Sequence, residues 1–350
     1  MNLYKSLIFI LYLGIFLGSG FRTPAQSRDS ITLYGTLDTV QVIRQRIQHA
    51  NEANAGARVT HISPAILQAN KTRSLAELLT DHTSIYIKSL GTGALSTASF
   101  RGTSASQTRV NWNGINITPP LSGTFDFSQI PVFFTDNINL YYGSSHVKNG
   151  TGAIGGSVNL FTDTDWNRGV NGRVLAEYGS YNTYTVGGQA NISGNKSASK
   201  TRLYYQHSDN DYTYLNKVLT NIPFREKRQD AAYSQFGIMQ EGYFRVSPYT
   251  RLTAVAWYQK NHRNLPQPLG VVNRSQEDQE ENNFRGYAGL DFSRGIHELH
   301  VKAAWLYFCQ TYDIRYDGGL FDPKGNKNRS NTAQVVADYT YSPTDKLILN

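Results

Sequence analysis

The sequence predicts a small mixed α+β domain followed by an antiparallel transmembrane β-barrel, and three observations predict it. Between Ser74 and Leu160, a short helix signal is followed by β-like segments separated by Gly-rich turns. From about Asn167 onward, segments of period-2 alternation follow one another, each with one wet and one apolar face. Their connections alternate between tight turns and long polar loops, the asymmetry of an outer-membrane barrel with short periplasmic turns and longer outer loops.

Composition agrees. The chain carries 23 Tyr, 16 Phe and 30 Gly with only 17% charged residues, and its mean hydropathy is -0.44, so it is rich in aromatic strand formers without being apolar on average. A helical membrane protein needs runs of about 20 apolar residues, and none follows the first two dozen positions. A barrel needs no such run, because only alternate residues face lipid. The formal charge is +8, but Lys and Arg are scattered rather than clustered, which argues against nucleic acid as a partner. Cys309, the single cysteine, has no internal disulfide partner and reads as a small apolar strand residue.

Residues 1–27 combine Lys5, an apolar run from Leu7 to Phe21 and a small-residue exit near Ala25 to Ser27, the layout of a secretory signal peptide. Residues 28–57 are polar, apart from Asp38-Thr39-Val40-Gln41-Val42-Ile43. By its residues alone this segment is either an ordinary β-prone stretch or one able to add as a strand to another protein's sheet edge. Ser63-Pro64-Ala65-Ile66 has the N-cap and first-position proline of a helix start. Ser74 and Glu77 have capping-box spacing at the head of a helix over Ser74 to Leu79. Strands are expected at Ser84 to Lys88, Ala98 to Arg101, Gln107 to Trp112 and Asn137 to Tyr142, with turns at Leu90-Gly91-Thr92-Gly93 and Asn113-Gly114. The glycine-rich run from Gly150 to Leu160 closes the domain, which is placed at 58–165.

The barrel portion is placed at 166–350. Strands are expected at Gly172 to Tyr178, Tyr184 to Ile192, Thr201 to Gln206, Tyr233 to Val246, Arg251 to Gln259, Phe284 to Phe292, Glu298 to Tyr312 and Ala333 to Tyr341, with a ninth beginning at Lys346. Tight turns fall at Asn195 to Ser199, Ser247 to Tyr249, Ser293 to Gly295 and Ser342 to Thr344, and long loops at Asp209 to Asp230, Asn261 to Asn282 and Arg315 to Asn331. Trp112 and Trp257 read as core or interface anchors, and Trp305 as a residue able to face lipid.

Enzymatic signatures are absent: there is no His-Glu-x-x-His, no Gly-x-Ser-x-Gly and no Cys pair. Gly150-x-Gly152-x-x-Gly155 has dinucleotide-binding spacing, but a strand pattern rather than a helix follows it. Asp209-Asn210-Asp211 offers hard oxygen ligands, too few by themselves for calcium. Glu277-Asp278-Gln279-Glu280-Glu281 reads as a solvated charge run.

The stretch from Ser74 to Leu160 resembles the plug of the TonB-dependent outer-membrane transporters. The matching residues are Ser74 to Leu79, Phe100-Arg101-Gly102, Asn113-Gly114 and Gly152 to Leu160. Within that family, Arg101 to Ser106 and Phe127-Ser128-Gln129-Ile130-Pro131 look most like the vitamin B12 (cobalamin) receptor branch. Tyr142, Ser144 and Asn149 stand where the family often carries Arg, Pro and Tyr, and Asn113 replaces an acid.

The resemblance implies a plug followed by the first eight or nine of 22 strands, hence a truncated barrel. It makes Asp38 to Ile43 a TonB box, and Arg101, Gly102, Gly155 and Gly156 structural residues of the plug, with Glu77 or Asp126 pairing Arg101. It puts substrate contacts at Ala94, Leu95, Ser96 and Thr97 and at Thr118, Leu121 and Ser122. It raises calcium at Asp209 and Asp211 in an outer loop. Only about ten residues separate the expected cleavage site from Asp38, which favours the transport-only branch over members carrying an extra N-terminal domain. The implied partners are the TonB energy-transducing complex, outer-membrane lipid, a cobalamin or other large nutrient ligand, and a surface lipoprotein. The implied function is energised import across the outer membrane of a Gram-negative bacterium, with cobalamin first, a ferric siderophore or haem as the alternative, and a passive porin or adhesin behind both.

Overall fold

Two short helices open the N-terminal domain in the computed structural model, which describes residues 58–143, 153–218, 223–269, 275–316, 324–344 and 347–349. The expected signal peptide and the segment Asp38 to Ile43 lie outside them. Strand β1 (Arg58–His61) leads to α1 (Pro64–Ala69), where the Ser63 hydroxyl accepts from the Ile66 N–H at 3.3 Å. Helix α2 (Leu75–His82) is fixed by a reciprocal capping box. Glu77 Oε2 accepts from the Ser74 N–H at 2.9 Å, and Ser74 Oγ accepts from the Glu77 N–H at 3.3 Å, so two otherwise orphan donors are satisfied. Leu75, Ala76, Leu78 and Leu79 share its buried face.

Strands β2 (Tyr86–Ser89) and β3 (Ser96–Ser99) form a separate hairpin. β4 (Thr108–Trp112), β5 (Ile115–Asn116), β6 (Asn137–Tyr142) and β7 (Gly156–Phe161) join β1 in a five-stranded sheet of order β1-β6-β7-β4-β5, in which only β4 and β7 run parallel. Asn113 and Gly114 connect β4 to β5 with φ of 50° and 84°, the left-handed conformations of a two-residue hairpin turn. Val110, Ile115, Leu140, Val158 and Leu160 bury completely, in one hydrophobic cluster with Leu75, Leu78 and Leu79 of α2.

A nine-stranded antiparallel meander follows: β8 (Gly169–Gly179), β9 (Thr183–Ser193), β10 (Ser197–Ser208), β13 (Tyr233–Ser247), β14 (Thr250–Asn264), β15 (Ser275–Arg294), β16 (His297–Tyr316), β17 (Lys324–Thr344) and β18 (Leu347–Leu349). Two short strands, β11 (Thr213–Asn216) and β12 (Phe224–Lys227), pair apart from it. Three of the tight turns fall at or beside the places the sequence gives them, whereas Ser342 to Thr344 form the end of β17. The long connections are not where the sequence places them: the ladder continues through much of 261–282 and 315–331, and 209–230 contains the β11–β12 hairpin. Both faces of these extensions are polar, which erases the alternation by which a strand is read while leaving backbone pairing unaffected.

Burial along the central strands shows which face is inside. In β13, Tyr233, Gln235, Met239, Glu241 and Tyr243 are buried, whereas Phe236, Ile238 and Phe244 are exposed. The apolar face points outward and the polar face inward, the reverse of a soluble sandwich and the arrangement of a lipid-embedded wall. Trp305 is 51% exposed on that outer face, and Cys309 is buried within β16. Among the described residues no helix is long and apolar enough to cross a membrane.

The N-terminal domain packs on the wall's inner face through aromatic rings and ions. Trp112 meets Trp257 of β14 and Tyr287 of β15 edge-on, with ring centroids 5.4 and 5.3 Å apart, and Phe134 lies 5.3 Å from Trp257. Beside them, Asp136 pairs with Lys200 at 3.0 Å and with Arg202, both on β10. Arg202 also lies 3.6 Å from Glu241 of β13 and donates to the Phe133 carbonyl at 3.2 Å. The Lys71 ammonium donates to the Thr135 carbonyl at 2.5 Å. Burial by itself raises the Asp136 carboxyl, but Arg202 and Lys200 outweigh it and hold the group well below the usual carboxylate range. Burial pushes Lys71 down to about 8, against the pull of Asp136.

Two predictions follow from this cluster. Asp136→Asn strands Arg202 and Lys200 beside a single acid, and is expected to cost about 3–5 kcal/mol, read as a lowered urea midpoint in detergent; an unchanged midpoint would refute the clamp. The Lys71 amine binds a proton less readily folded than unfolded, so between its folded value of about 8 and the ordinary lysine range the unfolded chain holds more protons. Stability from this group therefore rises with pH across that window. Lys71→Met should flatten the rise in a pH series of thermal midpoints.

Candidate ligand-binding site

Two turns of the N-terminal domain carry the residues expected to contact substrate. The first caps the β2–β3 hairpin, where Leu90 N–H donates to the Leu95 carbonyl and Ala94 N–H to the Gly91 carbonyl, each at 3.1 Å. Leu90 and Leu95 are exposed at 68% and 37%. Gly93 sits at φ +70°, and a Cβ there would fall inside the Tyr233 ring of β13, so only glycine allows this approach. Ala94 and Thr97 are half-buried.

Ser96 differs from its neighbours. It is buried, its N–H donates to Asp126 Oδ1 at 3.0 Å, and its hydroxyl donates to Ser89 Oγ at 2.9 Å. Its polar groups are thus committed within the domain, and Ser96 braces the turn rather than presenting itself to a ligand.

The second turn follows β5. The Thr118 hydroxyl accepts from the Val110 N–H at 3.4 Å, Gly123 N–H donates to the Pro119 carbonyl at 3.2 Å, and Ser122 Oγ donates to the Thr124 carbonyl at 2.9 Å. Leu121 is 56% exposed at its tip. Each turn faces its own cleft on the wall. The first cleft lies between Gly93 and Gln129 on one side and Asn261, Arg263, Gln279 and Glu281 on the other. The second is an open space of about 460 Å³ lined by Thr118, Pro119 and Pro120 opposite Leu306, Phe308 and Thr332.

Wall residues fix the floor of these clefts, and the sequence did not single them out. Arg263 Nη1 lies 2.7 Å from Asp126 Oδ2 and its Nη2 donates to Gln279 Oε1 at 3.1 Å. Gln235 donates to the Ser128 carbonyl at 2.9 Å, Gln259 to the Gln129 carbonyl, and Asn261 to Gln129 Oε1 at 3.1 Å. Gln334 grips the backbone of β5 at both ends of one residue, accepting from Asn116 N–H at 3.2 Å and donating to its carbonyl at 2.7 Å. Their common signal is polar side chains at every second position of strands whose other face is apolar.

Arg101 is corrected by the structure. It lies in an exposed turn rather than a strand, at φ 48°, followed by Gly102 at φ 79°. Its guanidinium stands 5.9 Å over the Tyr142 ring, while Glu77 caps α2 and Asp126 pairs with Arg263. The preceding residue is the buried one. The Phe100 ring closes on Gly156, where a Cβ would meet that ring and the Tyr141 carbonyl; at Gly155 a Cβ would meet Thr103.

Asp209 and Asp211 point to different partners. Asp209 accepts from Asn182 at 3.1 Å and meets His207 Nε2 at 3.1 Å, while Asp211 Oδ2 lies 2.7 Å from the Lys227 ammonium. The Asn210 amide turns away to the Thr92 and Ala231 carbonyls. Among the described residues no three Asp, Glu, His or Cys side chains gather as a metal-binding group, and the ammonium on Asp211 is a poor neighbour for calcium.

Residues 51–157 match the TonB-dependent Receptor Plug Domain. The vitamin B12 transporter BtuB of Photobacterium profundum is 32% identical over 135 residues, 39% of this chain and 22% of that protein. BtuB of Vibrio cholerae is 32% identical over 126 residues, 36% of this chain and 20% of its own length. The match thus spans about a fifth of these relatives' length. Among solved structures, the FrpB iron transporter of Neisseria meningitidis superposes with a TM-score of 0.66 at 11% identity, covering 84% of this chain and 47% of that one. The ferric-catecholate import receptor Fiu of E. coli K12 gives 0.62 at 12% identity, covering 83% and 47%; at such identities the likeness is one of fold. A domain matching the TonB-dependent receptor plug thus packs on the polar face of an antiparallel wall whose apolar face is turned outward, and plug and wall together share the fold of the solved outer-membrane receptors.

Proposed function

We propose that this protein imports a scarce, bulky nutrient across the outer membrane by TonB-coupled movement of its plug, and that the nutrient is a corrinoid of the cobalamin type. The observation that carries the reading is the pair of exposed plug turns, at Leu95 and Leu121, each facing a cleft walled by barrel strands. A large amphipathic ligand is held in such a place by shape and a few hydrogen bonds. The plug-region likeness to proteins named vitamin B12 transporters supports the choice of corrinoid.

No covalent chemistry enters the cycle. Ligand would settle on the turns from outside; Asp38 to Ile43 would offer its backbone to TonB as an added strand; the pull would then displace the plug from the wall. Calcium at Asp209 and Asp211 belongs to this proposal only as an aid to the outer loop, and would have to displace Lys227. A surface lipoprotein is a candidate lid.

Titrating the full-length protein in detergent with cyanocobalamin, with and without calcium, tests the substrate. Tight binding supports it, whereas binding of a ferric siderophore or haem in its place overturns the corrinoid reading. Two outcomes are expected of variants. Leu121→Asp should weaken binding about tenfold or more by placing a charge on the apolar tip, with an unchanged melting temperature. Deleting residues 38–43 should abolish uptake by whole cells while leaving ligand binding intact; uptake that survives the deletion would exclude TonB coupling through this segment.

A further inference from the structure

The second cleft, beside the turn that carries Leu121, contains a cation with little to hold. Among the described residues that line it, Arg285 is the single charged one; the others are amide, hydroxyl, aromatic or aliphatic. Arg285 and Asn283 occupy successive inward positions of β15 and are 7% and 4% exposed. The Arg285 guanidinium lies 4.3 Å over the Trp257 ring and donates from Nη1 to Gln259 Oε1 at 3.1 Å. Gln259 is itself pinned, because it donates to the Gln129 carbonyl of the plug.

A guanidinium carries a fork of N–H donors, and among the described residues the rest of this fork has no acceptor. No carboxylate stands within ion-pair distance of it. Glu281 attracts it only from farther along the same face, and Glu281 Oε1 already accepts from Gln279 and Gln310 at 2.5 and 2.8 Å. Asn283 is in a similar condition: among the described residues its buried side-chain amide has no hydrogen-bond partner. Across the cleft, Thr118 N–H donates to Asn116 Oδ1 at 3.1 Å, while Pro119 and Pro120 have no N–H to give. Gln334 is committed to the Asn116 backbone. The free donors nearest an entering anion therefore belong to Arg285 and Asn283.

We propose that Arg285, aided by Asn283, forms an oxyanion subsite that takes one phosphate or carboxylate group of the bound nutrient. A buried cation without a counter-ion is costly to hold, and the same poorly polarisable surroundings strengthen its attraction for an anion that reaches it. Two parallel N–H groups match two oxygens of one oxyanion. The Trp257 ring and the Gln259 amide fix the guanidinium plane before ligand arrives, so little freedom is lost on binding. For a corrinoid, the group is the phosphodiester of its nucleotide tail, an anion among amides. This inference rests on the nutrient settling at the Leu121 turn, and it deepens that reading by assigning which part of the ligand faces β15.

The test compares dicyanocobinamide with its phosphate ester, which differ by that group alone, on the full-length protein in phosphate-free detergent solution. The ester is expected to bind about tenfold or more tightly, the worth of a hydrogen-bonded charge. Arg285→Gln keeps a donor toward Gln259 and should erase the preference without lowering the melting temperature of the ligand-free protein. A cation with a purely structural role would do the reverse, lowering the melting temperature and leaving the preference. Arg285→Lys, a charge without the fork, should restore part of the preference. Asn283→Ala removes an amide that holds nothing in the ligand-free protein, so it should fold normally and shrink the preference several-fold, even if the Arg285 variants fail to fold. If neither corrinoid binds, ferric citrate and uncharged ferrichrome take their place. Ferric citrate binding that Arg285→Gln or Asn283→Ala weakens, with ferrichrome unaffected, would sink the corrinoid reading and keep the subsite. Equal binding of the two corrinoids, a preference that survives in both Arg285→Gln and Asn283→Ala, or no binding by any of the four probes would overturn the subsite.

Discussion

Placing charge inside a protein wall is the constraint on which this structure depends. Asp136, Lys200, Arg202 and Glu241 meet where the plug touches β10 and β13, three of them nearly or wholly buried. Removing such ions from water costs several kcal/mol each unless they are paired and hydrogen-bonded. Here the backbone helps: the carbonyls of Phe133 and Asp163 accept from Arg202 and Lys200. Those carbonyls are available because a 3-10 turn at Val132–Phe134 and the end of β7 leave them unpaired in the sheet. The plug's loops are thus part of the electrostatic solution, and a plug folded otherwise would leave β10 with two buried cations.

The same constraint explains the inverted wall. A strand with lipid outside must turn its apolar side chains outward, so its polar side chains face whatever fills the interior. Filling it with an apolar domain would take from Gln235, Gln259 and Asn261 the acceptors that the plug gives their amide groups. The plug instead offers carbonyls at Ser128 and Gln129, the Gln129 amide and the Asp136 carboxylate. Trp112 and Phe134 contribute rings where the wall has Trp257 and Tyr287.

What could be read in the sequence was local. The capping box at Ser74 and Glu77, the Asn113-Gly114 turn and strand β6 need only neighbours within a few residues to be recognised, and they stand where expected. Alternation revealed the wall strands but not which face was inside, because a period of two is the same for a sandwich and a barrel. Partners far apart in sequence stayed hidden: Asp136 and Arg202 are 66 positions apart. Arg101 was read as the end of a strand, although the glycine after it already marked the turn that exposes it. The run from Glu277 to Glu281 looked like solvated charge because its composition says nothing of parity; pairing sorts it into an inner set and an outer set.

The wall holds the plug by two kinds of contact that differ in their cost to break. Toward β17 the link is neutral, Gln334 to Asn116, and toward β14 the neutral links of Gln259 and Asn261 to Gln129 stand beside the Arg263–Asp126 ion pair. Water can replace such a neutral bond with a net loss of about 0.5–1.5 kcal/mol. Toward β10 the links are ionic and buried, and breaking one partner away costs about 3–5 kcal/mol. The turn carrying Leu121 springs from Asn116, held by amide bonds that water can replace, and returns to Asp126, held by the ion pair with Arg263. The chain around Phe133, Asp136 and Asp163 is tied to Arg202 and Lys200, and releasing it would strand charges in the wall. The plug is therefore held most weakly at Asn116 and most strongly where Asp136 and Asp126 meet Arg202, Lys200 and Arg263.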